Sequence, residues 1–66
     1  MEVTLNGERT TLPAQISIQQ LLEQQGLVDK RLAIEINQEI VPRSEFPAHH
    51  ISEGDELEIV HAIGGG

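Results

Sequence analysis

Cysteine, tryptophan and tyrosine are absent from these 66 residues, Phe46 is the only aromatic, and four basic residues stand against eleven acidic ones. Without cysteine there is no disulfide and no thiolate metal knuckle to reinforce a small core. A chain of this length holds one domain and buries only about 60% of the surface its unfolded form exposes. Clean caps and turns therefore have to carry much of its stability. With a single aromatic there is no stacking platform for single-stranded nucleic acid. A net charge of −7 repels phosphate backbones, since Arg9, Lys30, Arg31 and Arg43 are the only counterion-displacing groups. These features exclude nucleic acid as a partner and favour a protein with a basic face. The first residues, Met1 to Asn6, contain neither a basic region nor a long apolar run, so the expected setting is the cytoplasm with no membrane contact.

What is present is a sequence of short patterned elements. Val3 and Leu5 alternate with polar residues, Asn6-Gly7 interrupts, and Arg9 to Leu12 resumes, which predicts a hairpin closed by a tight turn and stopped at Pro13. Ser17 followed by Gln20 forms a capping box, with Ile18, Leu21 and Leu22 on one helical face and Gly26 as the left-handed stop. Leu27 is placed to fold back against the last turn. Leu32, Ile34 and Ile36 predict a third strand, Asn37-Gln38 a turn, and Glu39 to Val41 a short fourth strand ended by Pro42. Residues 43–51 read as irregular. Glu56 to Ile63 predicts the longest strand, with Leu57 and Ile59 facing one way and Glu56, Glu58 and Val60 the other. This order implies an α+β fold of the β-grasp type: a mixed sheet of four to five strands covered on one face by a single helix, the last strand parallel to the first. The expected division is a domain over residues 1–63 and a flexible glycine tail over 64–66.

Three constellations could carry chemistry. His49, His50 and His61 lack the spacing of metal ligands, because neighbouring residues of an extended segment point to opposite faces, so no metal site is expected. The carboxylates Glu35, Glu39, Glu53, Asp55, Glu56 and Glu58 lack the concave pocket that acid-base catalysis requires and read as a solvated face. No nucleophile triad or phosphate-binding loop is present, so the chain is not expected to be an enzyme. The third constellation is Gly64-Gly65-Gly66, directly after the last strand pattern. Lacking side chains, it can enter a narrow channel in another protein; ordering it costs about 1–2 kcal/mol per residue, which contacts of the folded body must offset. The alternation in the last strand makes Glu56, Glu58 and Val60 the candidate docking face, Val60 at its centre and the carboxylates at its rim.

Two segments, Ile36 to Ser44 and Glu53 to Gly66, resemble the bacterial sulfur carrier proteins of thiamine biosynthesis, and the likeness in length and element order spans essentially the whole chain. The resemblance implies that the Gly66 carboxylate attacks the α-phosphate of ATP on an adenylating, E1-like enzyme. Sulfur from a persulfide, supplied through a cysteine desulfurase or another donor, then replaces AMP and leaves a thiocarboxylate. Thiazole synthase takes that sulfur, while Gly64 and Gly65 form the stem that presents Gly66. It also implies that no cofactor belongs to this chain, that ATP and magnesium are used by the adenylating partner, and that the free protein is a monomer. The same tail chemistry fits a carrier for molybdopterin, a tungsten cofactor or tRNA thiolation. A ubiquitin-like modifier, joined through Gly66 to a lysine, is the alternative of a different class. The turn at Asn37-Gln38 departs from the family by lacking the glycine that many relatives place there.

Overall fold

Two turns of one type set the two hairpins. At Asn6-Gly7 the backbone φ angles are 51° and 84°, and at Asn37-Gln38 they are 51° and 72°. Two consecutive positive φ values match the right-handed twist of the flanking strands, so each turn closes a two-residue loop. The first joins β1 (Glu2–Leu5) to β2 (Glu8–Thr11), with Leu5 opposite Glu8. The second joins β3 (Leu32–Ile36) to β4 (Glu39–Val41), with Ile36 opposite Glu39. The computed structural model describes residues 1–61. Its sheet has five strands in the order β2-β1-β5-β3-β4, in which β5 (Glu56–His61) runs parallel to β1 and antiparallel to β3. This is the β-grasp arrangement that the element order implies.

The helix α1 (Ile18–Gln25) is anchored at both ends. An isolated helix this short is unstable in water, so its free amides and its apolar face must both find partners. Ser17 Oγ accepts the Gln20 amide at 3.1 Å, and Gln20 Oε1 accepts the Ser17 amide at 2.9 Å, completing the capping box. The Ile18 and Gln19 amides donate to the carbonyls of His49 and Phe46 at 3.0 and 3.1 Å. At the other end Gly26 adopts φ 71°, and the Leu27 amide returns to the Leu22 carbonyl at 2.8 Å while its side chain packs on the core. Ile18, Leu21 and Leu22 meet Val3, Ile34, Ile36 and Leu57 of the sheet in one cluster of buried side chains.

Three boundaries differ from the sequence reading. Strand β2 ends at Thr11; Leu12 turns into the core, although its amide still donates to the Met1 carbonyl at 2.8 Å. Residues 43–51 are not merely irregular. A 3-10 turn over Arg43–Glu45 leads Phe46 into the core at 2% exposure, and Ser17 and His50 form an isolated antiparallel bridge. The bonds to the helix start give this segment its shape, and those bonds are non-local. The last strand is described through His61, so the expected strand end at Ile63, the boundary between residues 63 and 64, and the tail lie outside the described residues. Among the described residues, no helix is long and apolar enough to cross a membrane.

Two substitutions test this account of local structure. Ser17→Ala removes the cap acceptor and is expected to lower unfolding free energy by about 1 kcal/mol. Gln38→Gly relieves a side chain held in the left-handed region and is expected to raise it by about 1 kcal/mol. Urea unfolding of both variants, with unchanged slopes, measures each effect.

Candidate functional site

Strand β5 decides what the molecule presents beside its tail. Its odd positions face the helix: Leu57 is buried and Ile59 packs partly buried against the core. Its even positions, Glu56, Glu58 and Val60, lie on the opposite face and are exposed, Val60 at 49%. The candidate docking residues therefore share one face of one strand, as the alternation predicts. The register adds neighbours that the single-strand pattern could not supply. Glu58 stands opposite Glu35 and Val60 opposite Ala33 on β3, while Ile40 of β4 stands opposite Glu35 and is 70% exposed. The resulting surface is a band of carboxylates flanked by small apolar groups. Ala33 and Glu35 are readable from the parity of β3, but their pairing with Val60 and Glu58 depends on which strands are adjacent.

A directly opposed Glu35–Glu58 pair is an unfavourable arrangement, because like charges across strands destabilise a sheet. The only ion pair printed on this face of the described residues lies on another strand pair, between Arg9 and Glu2 at 3.6 Å. Other members of the acidic set have local structural work. Glu53 accepts the Glu2 amide at 3.2 Å, and Asp55 accepts the Ser52 amide at 2.8 Å and the Asn37 side-chain amide at 3.1 Å. His49 supplies its carbonyl to the helix start, and His50 bridges Ser17. Among the described residues, no group of three or more His, Cys, Asp or Glu is placed to hold a metal ion.

The far end of β5 is supported unequally. Strand β1 pairs with it only through Thr4–Glu56 and Leu5–Leu57, whereas β3 follows it as far as Leu32–His61. Where β1 stops, Asn6 Oδ1 accepts the Ile59 amide at 2.8 Å, so the turn side chain replaces the missing strand. At the near end Asn37 Oδ1 accepts the Glu56 amide at 3.0 Å. Each hairpin turn thus hydrogen-bonds β5 through its asparagine. Gly64, Gly65 and Gly66, the expected site of covalent chemistry, lie outside the described residues, five positions or fewer beyond His61.

Comparison with known proteins gives consistent matches over the whole chain. The model of the ThiS family matches residues 3–66. A thiazole synthase of Paramagnetospirillum magneticum is 39% identical over 66 residues, which are all of this chain and 20% of that protein. The chain thus spans one fifth of the length of this relative. The sulfur carrier protein ThiS of Escherichia coli K12 is 32% identical over 66 residues, covering the whole of both chains. The crystal structure of the thiamine biosynthesis protein ThiS from Geobacter metallireducens superposes with a TM-score of 0.87 at 28% identity, again over the full length of both.

The opposed carboxylates give a stability prediction. Glu35→Gln is expected to raise unfolding free energy by roughly 0.5 kcal/mol at low salt. The gain shrinks as salt screens the repulsion. Urea titrations at low and high ionic strength measure both values; a loss of stability at low salt contradicts the repulsion.

Proposed function

The chain belongs to the ThiS family, and from that premise we propose that it is a sulfur carrier of thiamine biosynthesis, loaded and unloaded at the carboxylate of Gly66. The observation that carries this reading is a family match running through residue 66 and including all three terminal glycines. A bare carboxylate is a poor electrophile. Activation by ATP on an adenylating enzyme makes an acyl-adenylate and releases pyrophosphate. The terminal sulfur of a persulfide then displaces AMP, and cleavage of the sulfur–sulfur bond by a thiol leaves the thiocarboxylate.

The division of labour follows from the chain's chemistry. Adenylation, magnesium binding and persulfide formation belong to the partners, and this chain contributes a recognisable body and a slender arm. Gly64 and Gly65 form the arm, as part of a tail of residues 64–66 beyond a domain of residues 1–63. Thiazole synthase is the proposed acceptor. Support comes from the relative of that name, in which a stretch resembling this chain makes up one fifth of the protein. A carrier joined to its acceptor delivers at high effective concentration without needing tight docking.

Docking is proposed on the outer face of β5, with Val60 central and Glu56 and Glu58 at the rim. Rim charges act mainly on association rate and its salt dependence, and a buried central residue acts on dissociation. Glu35, Ala33 and Ile40 extend this face in the folded sheet. Phe46 is buried, so the segment around Arg43 offers no large apolar anchor in competition with Val60.

The tail is tested with purified protein, ATP and the adenylating enzyme of the same host. Wild type is expected to gain AMP on Gly66 and to release pyrophosphate. Deletion of Gly66 shortens the reach by roughly 3.5 Å, and Gly65→Val obstructs the channel. Both are expected to fold normally and to lose adenylation. Normal adenylation of either variant contradicts the channel reading. The docking face is tested by stopped-flow binding across a salt series: Glu56→Lys with Glu58→Lys is expected to slow association at low salt, and Val60→Asp to speed dissociation. Unchanged constants for both place the contact elsewhere.

A further inference from the structure

Positive charge is scarce in this chain and unevenly placed. Of its four basic residues, Arg9 lies on the β2 side, where it pairs with Glu2 at 3.6 Å. Lys30, Arg31 and Arg43 come together at the opposite side of the sheet, at the end where β5 leaves it. There Arg31, Arg43, Leu32, Ala33, Val60 and His61 line a shallow cleft of about 320 Å³. The cleft is continuous with the candidate docking face, since Val60 belongs to both. Its position in the chain matters too: His61 is its last described member, and the tail follows.

The cleft is built from pieces that are separately fixed. Arg43 Nη2 donates to the Lys30 carbonyl at 3.1 Å, and the guanidinium carbon sits 5.7 Å from the centroid of the Phe46 ring. Phe46 is buried in the core, so this contact holds the guanidinium against a rigid support. Arg31 is brought alongside by β3, whose next residues, Leu32 and Ala33, pair with His61 and Val60. The planar, multiply donating guanidinium is suited to carboxylate recognition. An exposed pair of this kind is worth little in water. Between Leu32, Ala33 and Val60 and the surface of a docked partner it loses water and gains strength.

We propose that this cleft receives an acidic side chain, aspartate or glutamate, of the adenylating enzyme, and that it orients the carrier so that the tail points into the active site. The inference rests on the sulfur-carrier reading above. Charge complementarity identifies the occupant. A partner basic enough to meet Glu35, Glu56 and Glu58 is held in a single orientation when it also carries one acid facing the arginines. Opposite charges at two neighbouring places define a direction, which a uniformly acidic surface does not.

The sign of one measurement separates this from general electrostatic attraction. Arg31→Glu makes the chain two charges more acidic than its net −7. Attraction governed by net charge alone then speeds association with a basic partner. The clamp requires the reverse, an association with the adenylating enzyme that is roughly tenfold slower at low salt, with Arg31→Gln intermediate. The unfolding temperature of Arg31→Glu is measured alongside, because Arg43 variants also loosen the contact with Phe46 and Arg31 carries the test for that reason. Association of the folded Arg31→Glu chain as fast as wild type or faster overturns the clamp. Saturable shifts of the Arg31 and Arg43 amides on titration of the free protein with inorganic phosphate also overturn it, in favour of a phosphate site. Failure of wild type to be adenylated refutes the sulfur-carrier reading as well, whereas normal adenylation of wild type with an unimpaired Arg31→Glu refutes the clamp alone.

Discussion

Strand β5 lies between β1 and β3, and the rest of the molecule is arranged so that it can stay there. Parallel pairing with β1 requires a crossover connection. Everything from Gly7 to Asp55 serves as that connection, including the helix that covers one face. The ladder to β1 is short, with two pairs of residues in register. It is extended by side chains, since Asn6 and Asn37 accept amides of β5 at its two ends. Leu57 ties the strand to the buried cluster, and the Gly54 amide donates to the Glu2 carbonyl at 2.8 Å, fixing the entry to the strand. A strand held in this way is a stiff root for whatever follows it.

That root joins stability to function. On its inner face β5 contributes Leu57 and Ile59 to the core; on its outer face the same residues' neighbours form the surface proposed to meet a partner. The outer face is not optimised for the isolated molecule. Glu35 and Glu58 oppose one another across β3 and β5, and Ile40 and Val60 remain exposed. Such features lower the stability of a free domain and become favourable only against a complementary surface. In the proposed account, the body supplies the binding free energy that offsets ordering of the glycine tail.

Much of this architecture was legible in the sequence because it is specified locally. The capping box at Ser17 and Gln20, the left-handed stop at Gly26 and the turn at Asn6-Gly7 are all set within a few residues, and each has the expected geometry. Strand parity likewise placed Glu56, Glu58 and Val60 on one face. What was not legible depends on contacts far apart in sequence. Phe46 gave no periodic signal, because its segment is shaped by the Ile18 and Gln19 amides reaching the carbonyls of His49 and Phe46. The pairing of Glu35 with Glu58 and the meeting of Arg31 with Arg43 beside His61 require knowledge of strand order. For the tail, composition and family resemblance pointed to Gly66, and its geometry lies outside the described residues.

The central claim is that Gly66 carries sulfur as a thiocarboxylate. Intact-mass measurement of the protein isolated from its own host, under conditions that supply cysteine and demand thiamine, tests it most directly. The account predicts a second species heavier than the unmodified chain by the difference between one sulfur and one oxygen, with fragmentation placing the change on Gly66. It also predicts that this species reverts to the carboxylate when incubated with thiazole synthase and its other substrates. A chain whose mass never departs from the unmodified value, or one found joined through Gly66 to the lysines of other proteins, contradicts it.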